Sequence, residues 1–397
     1  MRSLSSEKAE KKKKPILKIL ALSSILLAAT IGIFIWLGIG KKVVEAPQSV
    51  VQLITDSGLK SEDGRTNILL LGIGGVGHDG PDLTDTIIIA SVDKEGKDVA
   101  LISIPRDLWI PTTQAKVNHI YAYGQENDEQ GLENAKEQIS GLLSIPLHYA
   151  FRIDFGGFTK AVDLVGGLDL EVENSFSDPK YPLVGKEDDL CGLKIETEEK
   201  DGQKREVVKD ATGSAIPLNE ITDENDPFIC RYETITFRKG NSRMDGKTAL
   251  KFVRSRHGTN GEGSDFARSA RQQKVLLSFR QQVLSTDTLL NPKKIIELAK
   301  TFGASIDTDI QEDEIPLFTK LATKVDSTSV RRIVLDANPQ TGALEFGSPA
   351  DYNGQSVLVP KEGDWQKLSN FIKGEIFKYS EGKSDSSESK PQEAFMN

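Results

Sequence analysis

Cysteine and histidine are scarce in this chain of 397 residues, which contains two cysteines and four histidines. No histidine stands at metal-ligand spacing from a cysteine or from another histidine, so a zinc site is not expected. The sequence also lacks a G-x-S-x-G motif, which excludes the nucleophile elbow of the α/β-hydrolases. There is no basic surplus, because the net charge is −9. That balance argues against a protein that binds nucleic acid.

One long segment lacks charge altogether. Residues Ile19 to Gly40 contain no charged side chain, and about 20 apolar residues are needed to cross a bilayer as a helix. Seven basic residues precede this segment and only Lys41 and Lys42 follow it closely, which predicts a cytoplasmic N-terminus and an extracellular remainder. A cleaved signal peptide is the alternative, but the apolar run is too long for a signal core and no clear cleavage site closes it. We therefore expect a basic cytoplasmic tail (1–18), a transmembrane helix (19–40) and a linker (41–66).

The segment 67–378 has the pattern of one α/β domain. Short apolar runs of the buried-strand type alternate with amphipathic helical patterns, which indicates an α/β sandwich. A Ser/Glu/Lys-rich tail at 379–397 has the composition of a disordered segment. The predicted strands are 67–73, 86–92, 99–104, 149–153, 168–172 and 330–335, and the predicted helices are 132–143, 155–165, 274–284, 292–302, 315–324 and 365–377.

Residues 174–239 interrupt the α/β pattern. The segment is rich in Asp, Glu, Gly and Pro, and it contains both Cys191 and Cys230. An even cysteine count in an exported chain favours a disulfide between them, although two unrelated thiols are the alternative. We interpret the segment as an excursion from the core that this disulfide closes.

Arginines cluster where two predicted helices meet. Asp245 stands at the N-cap of a helix with Ala249, Leu250 and Val253 on its apolar side, and Asp265 stands where a second helix begins. The Gly-rich run between the two helices breaks the first one. The polar residues gathered around this junction are Arg254, Arg256, Arg268, Arg271 and Gln272.

Guanidinium groups collected at a helix start suit a phosphate or a pyrophosphate, which they bind in bidentate fashion. Arg254 and Arg256 are two residues apart and would point to nearly opposite sides of an intact helix. Both reach one site only if the helix ends between them. The alternative interpretation is a solvent-facing basic helix surface, and the sequence alone leaves both open.

Two further segments carry candidate ligands. Gly72–Gly77 matches the G-x-G-x-x-G dinucleotide fingerprint, but the next strand follows too soon for the required helix, so we reject that interpretation. The same loop contains Asp79, Asp82 and Asp85, and magnesium usually takes one or two carboxylates together with phosphate oxygens. The alternative is a turn in which the aspartates stabilise the backbone geometry.

Arg106 follows another predicted strand, at its carboxyl end, which is the edge where ligands bind in open α/β sheets. Lys116 supplies one more positively charged side chain near this edge.

These segments, taken in order, resemble the LytR-CpsA-Psr family from about Asn67 to Leu284. The resemblance implies an α/β/α sandwich around a mixed central sheet, with an apolar tunnel for a lipid. It also implies a phosphotransferase that moves an anionic glycopolymer from a polyprenyl-pyrophosphate carrier to a peptidoglycan hydroxyl at the membrane, with magnesium. The segments that carry the resemblance are Asn67–Gly72, Thr84–Ile87, Ser103–Asp107, Lys116–His119, Asp154–Gly157, Val165–Leu168, Met244–Leu250, Val253–His257 and Asp265–Gln273.

The resemblance also assigns roles to individual residues. The expected pyrophosphate contacts are Arg106, Arg254, Arg256, Arg268 and Gln272, with Lys116 nearby, and we add Arg271 as a substrate-binding candidate. Asp85 is expected to bind magnesium, while Asp265 organises the arginines or helps to activate the acceptor. The chain departs from the family pattern at Gly74, where relatives often carry a second metal carboxylate that Asp79 would have to replace. The sequence leaves two other functions open, a polyprenyl-pyrophosphate hydrolase and a non-enzymatic binder of lipid carrier or wall polymer.

Overall fold

The computed structural model describes residues 58–384 except for 79, 201–202, 210–212, 223–224, 284–302, 312–313 and 326–328. The predicted cytoplasmic tail, the transmembrane helix at 19–40, the helix at 292–302 and the last thirteen residues lie outside the described residues, as does Asp79. Within the part that is described, no helix combines the length and the apolar character that crossing a bilayer requires.

The described residues form seven α-helices and seventeen strands. The helices are α1 (Ile120–Asp128), α2 (Gly131–Leu143), α3 (Phe155–Leu164), α4 (Gly246–Arg254), α5 (Asp265–Val283), α6 (Ile315–Lys324) and α7 (Trp365–Ser384). The strands are β1 (Arg65–Ile73), β2 (Thr84–Asp93), β3 (Val99–Ser103), β4 (Trp109–Ile110), β5 (Ala115–Lys116), β6 (Tyr149–Asp154), β7 (Leu168–Val172), β8 (Phe176–Pro182), β9 (Lys194–Lys200), β10 (Gln203–Lys209), β11 (Ala215–Pro217), β12 (Tyr232–Phe237), β13 (Gly240–Met244), β14 (Ile306–Thr308), β15 (Val330–Val334), β16 (Leu344–Phe346) and β17 (Leu358–Pro360).

A six-stranded mixed sheet forms the centre of the domain, in the order β14-β6-β1-β2-β3-β15. Strand β2 pairs antiparallel with both β1 and β3, whereas β6 pairs parallel with β1 and β15 pairs parallel with β3. The strands predicted at 67–73, 86–92, 99–104, 149–153 and 330–335 are confirmed as members of this sheet. Their near-continuous apolar runs are those of strands that are buried on both faces.

Helices cover both faces of the central sheet. On one face, α1, α2 and α7 pack Tyr121, Ile139 and Ile372 against sheet residues such as Leu69 and Ile102. On the other face, α5 and α6 pack against the alternate positions of the strands, among them Ile88 and Leu101. Because successive strand residues point to opposite faces, the two clusters come from neighbouring positions of the same strands. The predicted α/β/α layering around a mixed sheet is present.

A second core lies beside the central sheet and supports the arginine-bearing helices. It joins α3 and α4 to the antiparallel pairs β7–β13 and β8–β12. Gly246, the first residue of α4, approaches α3 so closely that an added Cβ would lie 2.0 Å from the carbonyl oxygen of Thr159. The position of α4, and of the arginine at its end, is therefore fixed by close helix packing.

The segment 174–239 is only partly an excursion, which corrects the sequence-based interpretation. Its two ends, β8 and β12, pair with each other and contribute Phe176, Tyr181 and Ile235 to the second core. The outer part forms a separate three-stranded sheet of β9, β10 and β11. The apolar positions of β8 and β12 are separated by turn-forming and charged residues. The composition of the segment therefore did not reveal that these two strands are buried in the core. The predicted disulfide between Cys191 and Cys230 is present.

Candidate active site

A cavity of about 230 Å³ lies where the two arginine-bearing helices meet the edge of the central sheet. Its walls come from five separate parts of the chain: the start of β2, the segment after β3, the start of α3, the β8–β12 pair, and the α4–α5 junction. The lining residues are Asp85, Thr86, Arg106, Phe155, Asp178, Lys180, Pro182, Tyr232, Val253, Arg254, Arg256, His257, Arg268 and Gln272. Basic side chains outnumber acidic ones in this wall, so the cavity suits an anion.

The α4–α5 junction brings Arg254 and Arg256 to the same cavity. Helix α4 begins at the predicted cap, where the Asp245 side chain accepts a hydrogen bond of 2.7 Å from the Thr248 amide. It ends at Arg254, and Ser255 then adopts an extended conformation with φ −50° and ψ 131°. The expectation that the helix ends between the two arginines is therefore confirmed. Without this break the two guanidinium groups would face opposite sides.

The second helix is capped by a different residue from the one expected. Ser264 Oγ accepts a hydrogen bond of 3.1 Å from the Ala267 amide, so Ser264 caps α5 and Asp265 is its first residue. The Asp265 carboxylate is consequently available to the arginines. Its Oδ1 atom lies 2.6 Å from Arg268 Nη1 and 3.8 Å from Arg256 Nε. Asp265 thus orders two of the cations, as one of its two predicted roles requires.

Arg268 is the most deeply buried cation in the wall, with 5% of its surface exposed. Its Nε atom donates no hydrogen bond to any described residue. Burial lowers the pKa of Arg268, and the positive charges of Arg256 and Arg106 lower it further. The Asp265 carboxylate acts in the opposite direction, and the resulting pKa is about 10. A bound anion would relieve both the missing hydrogen bond and the repulsion among the cations.

Arg106 enters the cavity from the central sheet. Its Nη1 atom donates a hydrogen bond of 2.7 Å to Asp85 Oδ1. Burial would lower the pKa of Arg106, but the carboxylates of Asp85, Asp107 and Asp265 together more than offset this, and the pKa is raised overall. The structure therefore brings the predicted pair Arg106 and Asp85 together from adjacent strands, β3 and β2.

Aromatic rings hold Arg254 against the cavity wall. The guanidinium carbon lies 4.3 Å from the centroid of Phe155 and 5.7 Å from that of Tyr181. Nη1 also donates a hydrogen bond of 3.4 Å to the Tyr181 hydroxyl. Cation–π contacts of this kind fix the plane of the guanidinium while leaving most of its N–H groups able to bind an anion.

Asp178 organises the junction, although no sequence motif indicated this role. The residue is 1% exposed, and its Oδ2 atom accepts hydrogen bonds from Ser255 Oγ at 2.7 Å, Arg256 N at 3.0 Å and His257 N at 3.2 Å. Its Oδ1 atom accepts from Lys180 N. These bonds lower the pKa of Asp178 despite a burial that would raise it. Because the partners are almost 80 residues apart, only the tertiary structure relates them.

Arg271 is not a substrate-binding residue, which corrects the prediction. Its guanidinium is 4% exposed and donates to the carbonyl oxygens of Phe252, Ser255 and Glu262 at 2.7–2.8 Å. It also forms a 2.7 Å bond with the Glu262 carboxylate. Arg271 is three residues from Arg268 in α5, but its donors bind the last turn of α4 and the loop between the helices. It is a structural residue.

Lys116 is also absent from this cavity. Its ammonium group lies 2.7 Å from Asp107 Oδ1, and the residue lines a neighbouring hollow. Gln272 does line the cavity, as predicted. The described residues between β1 and β2 form turns and no helix, which agrees with the rejection of a dinucleotide site at Gly72–Gly77.

The residues in place fit a magnesium ion that is held jointly by the protein and a phosphate ligand. Asp85 presents a carboxylate that is 38% exposed at the cavity, and Gly74 supplies no second one. Among the described residues, the one cluster of three potential ligands is Asp189, Cys191 and Cys230, whose sulfurs form the disulfide. Since magnesium usually combines one or two carboxylates with phosphate oxygens, Asp85 is the residue that would hold it.

Comparison with known proteins gives one family. The model of the LytR_cpsA_psr family matches residues 41–373. The polyisoprenyl-teichoic acid–peptidoglycan teichoic acid transferase TagU of Enterococcus faecalis is 24% identical over 256 residues, covering 63% of this chain and 63% of the relative. The cell wall biosynthesis protein LcpA of Corynebacterium glutamicum is 26% identical over 338 residues, covering 75% and 53%. The matches therefore span less than two thirds of these curated relatives.

A solved structure supports the fold. The crystal structure of Bacillus subtilis TagV superposes with a TM-score of 0.50 at 20% sequence identity, covering 80% of this chain and 98% of that one. This likeness concerns the α/β architecture with its mixed central sheet.

Proposed function

The chain belongs to the LytR-CpsA-Psr family, and on that premise we propose that it transfers an anionic glycopolymer from a polyprenyl-pyrophosphate carrier to a hydroxyl of peptidoglycan. Relatives named as teichoic acid transferases support the donor and acceptor classes. The identity of the polymer is left open by this proposal.

The observation that carries the proposal is the convergence of Arg106, Arg254, Arg256 and Arg268 on one small cavity. They come from β3 and from two helix ends, and Arg268 keeps a buried Nε without a partner among the described residues. Among the described residues, these four guanidinium groups pair with three carboxylates, which are those of Asp85, Asp107 and Asp265. The cluster therefore keeps an excess of positive charge, whereas Arg271 pairs with the Glu262 carboxylate. A diphosphate offers several oxygens to a set of guanidinium groups and matches their geometry.

In the proposed reaction, the acceptor hydroxyl oxygen attacks the phosphorus that bears the glycopolymer. A new P–O bond forms, the bond from that phosphorus to the bridging oxygen breaks, and polyprenyl phosphate leaves. The hydroxyl proton passes to solvent or to a carboxylate at the cavity. Arg268 and Arg256 contact the charge that develops on the phosphoryl oxygens, and preorganised donors of this kind contribute a large part of such catalysis.

Magnesium is part of the proposal. When bound, it would neutralise phosphate charge, and Asp85 is the residue that would hold it. Arg106, which pairs with Asp85, would contact the phosphate beside it. Asp265, which pairs with both Arg256 and Arg268, would hold these two side chains at the ligand.

We also propose that the domain acts outside the cell, anchored by the segment 19–40. The support is the charge asymmetry around that segment and the disulfide, which persists in oxidising compartments. A polyprenyl carrier resides in the membrane, so an anchored enzyme would meet its donor there.

The direct test is an assay with the purified full-length protein, a short-chain polyprenyl-pyrophosphate saccharide and a soluble peptidoglycan acceptor. We expect a saccharide-phosphate to appear on the acceptor and polyprenyl phosphate to be released, both dependent on magnesium. Release without acceptor modification, at the same rate with or without acceptor, would identify a hydrolase. Saturable donor binding with no bond cleavage would identify a binding protein and contradict the proposal.

A further inference from the structure

A second, larger hollow of about 710 Å³ lies beside the catalytic cavity. Its floor is one side of α1 together with the loops before β2 and β5. The residues that line it include Asp82, Lys116, His119, Tyr123, Glu126 and Gln355. The proposed function has not assigned a role to this hollow.

We propose that the hollow binds the acceptor glycan, an uncharged stretch of amino-sugar polymer whose hydroxyl enters the catalytic cavity. The proposal rests on the proposed transferase function and adds the place and the chemistry of the second substrate.

Helix α1 presents the hollow with a face suited to a sugar. His119, which precedes α1, lies four residues before Tyr123 and seven before Glu126, so these three side chains share one side of the helix. Ile120 adds an apolar side chain to the same lining, whereas Tyr121 is buried and does not line the hollow. The Tyr123 side chain is 63% exposed. An aromatic ring with a polar tip offers a flat apolar surface and a hydrogen-bonding group to a ligand that has both kinds of surface.

The polar groups of the hollow disfavour a polyanion and a lipid chain. Asp82 and Glu126 outnumber Lys116, and Lys116 is already paired with Asp107, so a polyanion gains nothing from this wall. The loop residues Thr112, Thr113 and Gln114 add hydroxyl and amide groups, which a lipid chain would leave without partners. A neutral ligand with many hydroxyl groups satisfies both the donors and the acceptors.

A chain of contacts joins the hollow to the catalytic cavity. Lys116 Nζ lies 2.7 Å from Asp107 Oδ1, and Asp107 Oδ2 lies 3.6 Å from Arg106 Nε. Arg106 in turn binds Asp85 at 2.7 Å in the cavity wall. Asp82, in the hollow, is three residues before Asp85 in the same segment. A glycan in the hollow therefore lies next to the residues proposed to hold the pyrophosphate and magnesium.

The experiment measures binding and kinetics of the full-length protein separately. Calorimetric titration uses a soluble, uncharged tetrasaccharide of N-acetylglucosamine as the probe. We expect saturable binding to the unchanged protein, at least tenfold weaker binding to Tyr123→Ala, and near-normal binding to Tyr123→Phe, which keeps the ring. Phe371→Ala, which removes a 40% exposed ring from α7, is the matched control and should bind as the unchanged protein does.

In the transfer assay, Tyr123→Ala should raise the KM for the acceptor at least tenfold and leave the KM for the donor and acceptor-independent cleavage unchanged. Equal tetrasaccharide binding by Tyr123→Ala and the unchanged protein would overturn the proposal. A rise in the donor KM alone would also overturn it, because the hollow would then hold the sugars of the donor. If tetrasaccharide binding depends on Tyr123 but the protein cleaves no pyrophosphate, the result would support a glycan-binding site in the hollow. The same result would refute the proposed transferase activity.

Discussion

The Oδ2 atom of Asp178 accepts a hydrogen bond of 2.7 Å from the hydroxyl of Ser255, a residue 77 positions away in the chain. Ser255 is the point at which α4 ends, and the same Oδ2 atom accepts the next two backbone N–H groups. One buried carboxylate thus fixes the turn that separates Arg254 from Arg256. The β8–β12 pair, which the disulfide-bearing segment contributes, is in this way part of the proposed catalytic site.

Replacing Asp178 by asparagine should weaken both the fold and the site. The amide cannot accept from all three donors, so buried N–H groups lose their partner, at a cost of about 1–3 kcal/mol in the free energy of unfolding. Displacement of Arg256 should slow transfer roughly 10- to 100-fold. Denaturant unfolding and the transfer assay measure the two effects. Asp169→Asn, which alters an exposed ion pair with Arg243, is the control and should change neither quantity appreciably.

The contribution of Asp178 to stability should depend on pH in a defined direction. Its pKa is below the ordinary value of 3.8 in the folded protein, so the carboxylate stabilises the fold at every pH above that value. The contribution is lost as the pH falls from about 4 through the lowered folded-state pKa. We expect the difference in unfolding free energy between the unchanged protein and Asp178→Asn to be constant near neutral pH and to shrink below about pH 4. A difference that stays constant down to pH 2 would contradict the assignment.

Arg268 and Arg271 should respond to mutation in opposite ways. Arg268→Ala should reduce the transfer rate on the order of 10²–10³-fold with little loss of stability, since it relieves repulsion in the cluster. Arg268→Lys should fail nearly as badly, because lysine keeps the charge and loses the fork geometry. Arg271→Ala should instead lower the melting temperature, as removing one partner of a buried pair costs about 3–5 kcal/mol. Normal specific activity together with a large loss of stability in Arg268→Ala would show that Arg268 is structural.

Removing the disulfide should destabilise the domain. The bond closes a loop between residues separated by 39 positions, which corresponds to about 3–4 kcal/mol in the chain-entropy model. The variant Cys191→Ser, Cys230→Ser should unfold at a lower denaturant concentration, and its catalytic rate should fall less than that of Asp178→Asn at temperatures where both are folded. Thiol labelling of the unreduced, unfolded native protein should find no reactive cysteine, and two labelled thiols would refute the bond.

The proposed topology is tested with a reporter fused after Asn397. A reporter that works only outside the cytoplasm should be active, because the positively charged flank of the segment 19–40 is retained inside. A reporter that works only in the cytoplasm serves as the matched control and should be silent. The reverse pattern would overturn the extracellular location.

Local signals in the sequence were sufficient to determine most of the core. Apolar runs and amphipathic periods placed five strands of the central sheet and the helices at 132–143, 155–165 and 315–324 close to their observed bounds. The helix predicted at 365–377 continues to Ser384, so the first residues of the segment predicted to be disordered, 379–384, are helical. The cap at Asp245 and the Gly-rich break located the α4–α5 junction and its arginines. These features depend on residues a few positions apart, whose preferences for helix, strand and turn act locally.

Tertiary structure alone decided which of these side chains share a site. Arg268 and Arg271 carry the same group three residues apart on one helix, yet one faces the cavity and the other bonds to backbone carbonyls. Strand β8 brings Asp178 to the junction, and Lys116 lines a neighbouring hollow instead of the cavity. Charge and spacing identify cations in a sequence, but burial and hydrogen-bond partners come from segments far apart in the chain. Those long-range contacts determine whether a guanidinium binds a ligand or holds a loop.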